Sequence, residues 1–159
     1  MRRVSTLALA LFGLFPLTSA AGEPLEIMNC RSGTLNMLHA EKDLAVASFQ
    51  LKGVSLSRNA NKALDNSSSV CVGVSRTGAA TDSASHGFCK YLDTDGDVVM
   101  VEWHGRPPKG GSWSFLGGTG KWAGVQGKGD WETMPAAKPI APGTTQGCNL
   151  VKGEYTLRK

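Results

Sequence analysis

After the first twenty residues, no part of this chain shows the apolar spacing of a long amphipathic helix, so its fold is not built on helices. It has no basic cluster either. The lysines are scattered singly, and with Arg2 and Arg3 set aside, fifteen basic face thirteen acidic residues, a net of +2. That balance leaves no electrostatic footprint for nucleic acid. There is no Cys-x-x-Cys and no cysteine–histidine pair at ligand spacing, so no metal site and no cofactor are expected. No serine has a nucleophile's setting, since Ser75 in "GVSRTG" lies within a strand-like run rather than a G-x-S-x-G elbow. Internal repeats and low-complexity tracts are also missing.

The N-terminus reads "MRRVSTLALALFGLFPLTSAAG". Arg2 and Arg3 precede an apolar run from Leu7 to Leu17, and Thr18-Ser19-Ala20 fits a small-residue cleavage site. The segment predicts a signal peptide over residues 1–20, cut after Ala20 or Ala21, and it is too short for a membrane span. The expectation is an exported protein, periplasmic or secreted, with no membrane association after cleavage. Its single domain covers residues 25–159, enough to bury a sizeable core. Four cysteines, Cys30, Cys71, Cys89 and Cys148, lie in that domain, and an even number in an exported chain favours two disulfides.

Short β-type runs alternate with Gly, Asn, Asp and Ser clusters. They span residues 34–40, 44–57, 70–76, 86–92, 98–104, 112–118, 125–133 and 151–159. Eight antiparallel strands must hide their edges, and closure into one eight-stranded β-barrel removes them. One or two helical turns over Ala60 to Asp65 remain open, and three prolines mark Met134 to Gln146 as an irregular loop. In a barrel, the consecutive strands carrying Cys71 and Cys89 form a hairpin. Closure of first strand on last brings Cys30 towards Cys148. The preferred pairing of three is therefore Cys71–Cys89 with Cys30–Cys148.

The glycine-rich stretch "FLGGTGKWAGVQGKGDWE" invites a nucleotide-loop reading. Gly118-Thr119-Gly120 begins a dinucleotide fingerprint, but strand-like "VQGKGDWE" follows where the phosphate-binding helix should start. A P-loop fails too, because Gly129 follows Gly127-Lys128 and Trp122 stands where the first glycine belongs. A barrel corner fits better, with Trp122 filling space beside the glycines. "DTDGDVVMVEWH" likewise begins like a calcium loop at Asp93, Asp95 and Asp97, but Val98 and His104 occupy the positions that need glycine and glutamate. It reads as a hairpin turning at Asp95-Gly96 through a two-residue type I′ turn.

"GGTGKWAGVQGKGDW" resembles the "GGTGK-aromatic" signature of small exported bacterial proteins with the allene oxide cyclase-like barrel, and a shorter "GGTG" occurs in plant dirigent proteins. "CKYLDTDGDVVMVEWHG" resembles the C-x-x-x-D-x-D-G-D hairpin of the same bacterial proteins. The two motifs cover about 40 residues, in the right order. The resemblance implies an all-β, disulfide-bonded barrel whose lumen holds small apolar or phenolic molecules, and dimers or trimers. The acidic catalytic positions of the plant cyclases are not placed on this chain residue by residue, so no catalytic residue is carried over.

Three functions remain. The first is non-catalytic binding of a small apolar molecule or a protein partner. The second is a cofactor-free isomerase or cyclase working in the lumen. The third is a structural, homo-oligomerising module. Glu102 and His104, two apart on one strand, are the candidate acid–base pair if their face is the lumen. Trp103, Trp113 and Trp131 are the candidate ligand-lining aromatics, with core and rim packing as the alternative. His39 and His86 read as isolated surface or hairpin residues.

Overall fold

Alternation of side chains between two faces is the organising feature of the chain, and it closes on itself. In the computed structural model, which describes residues 22–78, 83–106, 109–135 and 137–157, eight antiparallel strands form a closed barrel. They are β1 (Glu23–Glu41), β2 (Leu44–Ser57), β3 (Ser67–Gly78), β4 (Ser83–Leu92), β5 (Val98–Gly105), β6 (Gly111–Gly118), β7 (Gln126–Thr133) and β8 (Thr144–Thr156). Each strand pairs with its chain neighbours, and β1 closes on β8. The expected leader lies outside the described residues. Among the described residues no helix is long and apolar enough to cross a membrane.

The first strand is longer than the sequence suggested, beginning at Glu23 instead of Thr34. "LEIMNCR" does alternate, but polar Asn29 and Arg31 continue the inward face begun by Leu25 and Ile27 and interrupt its apolar signal. The last strand starts at Thr144, inside the expected proline-rich loop, because pairing with β1 extends to Thr34. Ala60 to Asp65 is not helical. Lys62, Leu64 and Asn66 have φ of 54°, 54° and 52°, a left-handed conformation that breaks any helical ladder. Leu64 is buried at 3% exposure, and the Ser55 hydroxyl donates to its carbonyl at 2.8 Å, which holds the strained turn in place.

Both disulfides span directly opposed residues. Cys71 lies opposite Cys89 across β3 and β4, and Cys30 opposite Cys148 across the β1–β8 seam. The first pair is buried on the inner face, and the second is half-buried on the outer face.

The two sequence motifs turn out to be one structural unit. The β4–β5 turn uses a three-residue loop, Thr94-Asp95-Gly96, instead of the expected two-residue turn: Asp93 N–H donates to Asp97 O and Gly96 N–H to Asp93 O. Gly96 supplies the positive φ of 88° that such a loop needs. The Asp93 carboxylate then accepts the amides of Asp95 and Asp97, both at 2.9 Å, and the indole N–H of Trp122 at 2.8 Å. Lys121 Nζ sits 2.9 Å from the same carboxylate and also pairs with Asp95. An ammonium thus stands among the aspartates where a cation would otherwise be sought. Gly120, at φ 52°, leaves no room for a side chain, since a Cβ there would lie 1.8 Å from Asp97 Oδ1. The glycine-rich stretch is a corner: a single 3-10 turn, Gly120–Trp122, seals the barrel end and leads straight into β7.

A candidate ligand site in the barrel lumen

Because β5 alternates strictly, one face must enter the lumen. Val99 and Val101 are buried, and Val101 and Trp103 line the interior, while Met100, Glu102 and His104 face outward. Glu102 and His104 therefore do not form an acid–base pair inside the barrel. Their partner is His86, opposite His104 across β4 and β5, which sequence reasoning had treated as isolated. The separation of sixteen residues between His86 and Glu102 hides that meeting, which only strand register creates.

Trp103, Trp113 and Trp131 all lie on the wall of a single cavity of about 270 Å³. Its floor is closed by Leu25, Ile27 and Leu64, and it runs towards Leu35, Phe49 and Thr133 near the other end. The tryptophans stay against the wall because glycines face them. A Cβ on Gly87 would meet the Trp103 ring at 2.6 Å, one on Gly153 the Trp113 ring at 2.7 Å, and one on Gly105 the Trp131 ring at 2.3 Å. Broad rings laid over bare backbone give the sheet its packing and leave the centre empty. Aromatic contacts then join the wall: Phe49 stacks on Trp103 at 5.9 Å, and Trp103 meets Trp131 edge-on at 6.1 Å. Two of the indole N–H groups donate to backbone carbonyls, Trp113 to Lys152 O and Trp131 to His104 O.

One patch of the wall is polar. Arg31 donates to the Tyr91 hydroxyl and lies over the Tyr91 ring at 5.7 Å. Asn29, 1% exposed, donates to the same hydroxyl at 3.1 Å, yet its Oδ1 has no partner. Ser85 Oγ, also on the wall, is likewise buried and unpartnered. Buried polar atoms are nearly always hydrogen-bonded, so such orphans mark places where something else can supply the bond. Among the described residues, no carboxylate pairs with Arg31, and none lines the cavity. The described lining also has no histidine, lysine or free thiol. The lumen thus offers one permanent cation, a few neutral hydrogen-bonding groups and apolar walls, with no side chain suited to shuttling a proton near neutrality.

Sequence reasoning found the three tryptophans but missed Arg31, Asn29 and Tyr91. Period-two alternation from Leu25 through Arg31 was the available signal.

No protein-family model matches the chain, and no curated protein matches its sequence. Among solved structures, the chain is similar to a pterocarpan synthase dirigent protein, with a TM-score of 0.51 and 8% identity over 93% of this chain and 100% of that one. At that identity the likeness is one of fold: this is a dirigent-like β-barrel.

Proposed function

We propose that this protein is an exported binding barrel that holds a small, ring-bearing, mostly apolar molecule in its lumen without transforming it. The observation carrying this reading is a mostly apolar cavity with one cation on its described lining, Arg31, with which no carboxylate among the described residues pairs. An engineered cavity of about 150 Å³ accepts benzene, so 270 Å³ suits a molecule of one or two rings. Arg31 favours one whose polar end is a carboxylate or another acceptor, with Asn29 beside it on the Tyr91 hydroxyl. The leader and two disulfides support export, since such bonds persist in oxidising compartments.

Titration with 2-naphthoate, followed by tryptophan fluorescence, tests the reading. Saturable quenching is expected, with 2-naphthol methyl ether, the neutral control, binding more weakly. Arg31→Met should weaken naphthoate by about 10- to 100-fold, the value of a hydrogen bond to a charged group, and leave the ether unaffected. Absence of saturable binding for both compounds would remove the reading.

A second reading, self-association, is favoured by the outer wall. Val72, Val74 and Phe88 are neighbours on β3 and β4, exposed at 46%, 51% and 38%. Such a patch points to a buried partner surface, here a second copy of the chain. Sedimentation should show an oligomer that Val72→Lys dissociates; a monomer at all concentrations discards this reading.

A further inference from the structure

The outer wall carries a cluster that neither the fold nor the lumen explains. His86 on β4 and His104 on β5 are directly opposed, and Glu102 lies two residues before His104 on the same face. The two imidazoles are nearly parallel, 4.4 Å apart with 7° between their planes. Glu102 Oε1 lies 2.9 Å from His86 Nε2 and 3.7 Å from His104 Nε2. One donor atom from each residue falls within 4.8 Å of the others. All three side chains remain accessible, at 41%, 30% and 58% exposure for His86, Glu102 and His104.

We propose that His86, Glu102 and His104 form a surface site for a divalent first-row transition metal ion, with zinc as its reference occupant. The donor set is two imidazole nitrogens and one carboxylate oxygen, the mixture that suits zinc and its neighbours over calcium or magnesium. Metal–ligand bonds of about 2.0–2.1 Å around a tetrahedral ion set donors about 3.3 Å apart, close to the two distances seen here. Tilting the two imidazoles out of their parallel stack would turn both Nε2 atoms onto one ion. The backbone positions need not move, because the β4–β5 ladder is continuous from Ser85–Gly105 to Leu92–Val98.

Three protein ligands leave a fourth position facing solvent, so the ion would keep a water or take a donor from another molecule. The alternative is that Glu102 serves only to accept a hydrogen bond from His86. That arrangement accounts for the His86 contact but leaves the 3.7 Å approach of His104 Nε2 to the same oxygen without a role.

The test uses tag-free barrel with both disulfides intact, titrated calorimetrically with zinc chloride. One equivalent should bind. His86→Ala and His104→Ala should each weaken it by about tenfold or more, and Glu102→Gln should weaken it while preserving shape. His39→Ala removes the third histidine, which lies on β1 beside Glu41, and should change nothing. Cobalt substituted for zinc adds a second reading, since intense visible bands report a four-coordinate ion. Unchanged binding in the His86 and His104 variants, or no binding by the parent protein, overturns the site. Should either alanine variant fail to fold, His86→Gln and His104→Gln replace it, and retention of full affinity in both would overturn the proposal equally.

Discussion

Replacing Asp93 with alanine should destabilise the barrel by about 2–4 kcal/mol, chiefly through the buried donors left without their acceptor. Asp93 is 8% exposed and accepts from four donors: two backbone amides, an indole and an ammonium. Its loss would leave the Trp122 N–H, itself on a side chain only 3% exposed, without a partner in the sealed end. Lys121 is 45% exposed and can turn to water or to Asp95, so Lys121→Met should cost less than Asp93→Ala. Urea unfolding at neutral pH, followed by tryptophan fluorescence, measures both. A loss below about 1 kcal/mol for Asp93→Ala would mean the corner is not held by this carboxylate.

The same group makes stability pH-dependent in a stated direction. Burial pushes the Asp93 carboxyl up, but hydrogen bonds from Lys121, Trp122 and the amides of Asp97 and Asp95 outweigh it and hold its pKa at about 2, below the ordinary 3.8. A depressed folded value means that protonation favours the unfolded chain. The contribution, on the order of 2 kcal/mol, is complete well above the ordinary value and fades as pH falls through 3.8 towards 2. Asp93→Asn removes the titration, so its stability should fall less steeply than the parent's across that window. Parallel curves for the two proteins would assign the acid sensitivity elsewhere.

Fold and site were legible to different degrees, for physical reasons. Strand count and closure could be read because short apolar β-type runs bounded by turn residues are local signals, plain in "VCVGVSR" and "VVMVEWH". The cysteine pairing followed from strand order, a hairpin for Cys71 and Cys89 and closure for Cys30 and Cys148. By contrast, "DTDGD" and "GGTGKW" gave no sign that they touch, since Asp93 and Trp122 are 29 residues apart and meet only through the corner. The left-handed turn at Lys62, Leu64 and Asn66 was hidden because none of the three is glycine, and tertiary burial imposes what local preference resists. Which face of β5 enters the lumen could not be read, because Val98 and Met100 make the outer face nearly as apolar as the inner. The tryptophans were recognisable as lumen candidates, but what keeps the lumen open lies in Gly87, one strand away from Trp103, and in Gly105 and Gly153, two strands away from Trp131 and Trp113. A tryptophan and the glycine beneath it are separated in sequence and joined only by register.

That dependence on register makes the β1–β8 seam the place where the fold is most exposed to loss. Replacing Cys30 and Cys148 together with alanine should cost about 5 kcal/mol on the chain-entropy estimate, because the bond closes a separation of 118 residues. Cys71 and Cys89 close only 18, worth about 3 kcal/mol on the same estimate. A domain of this size has on the order of 5–15 kcal/mol in all, so the seam bond is a large share. The two bonds should also differ in chemistry. Cys71 and Cys89 are 1% and 3% exposed on the inner face, whereas the seam pair is half-buried on the outer wall, where a thiolate or phosphine can approach. Mild reduction, quenched by alkylation and read by mass, should therefore open Cys30–Cys148 first, and urea resistance should drop with that step rather than with the second. If the inner bond opens first, or the seam variant loses less than about 1 kcal/mol, then the β1–β8 ladder holds the barrel shut without its covalent link, and the stability of the closed lumen must come from the hydrogen bonds between Glu23 and Thr34 and their partners on β8.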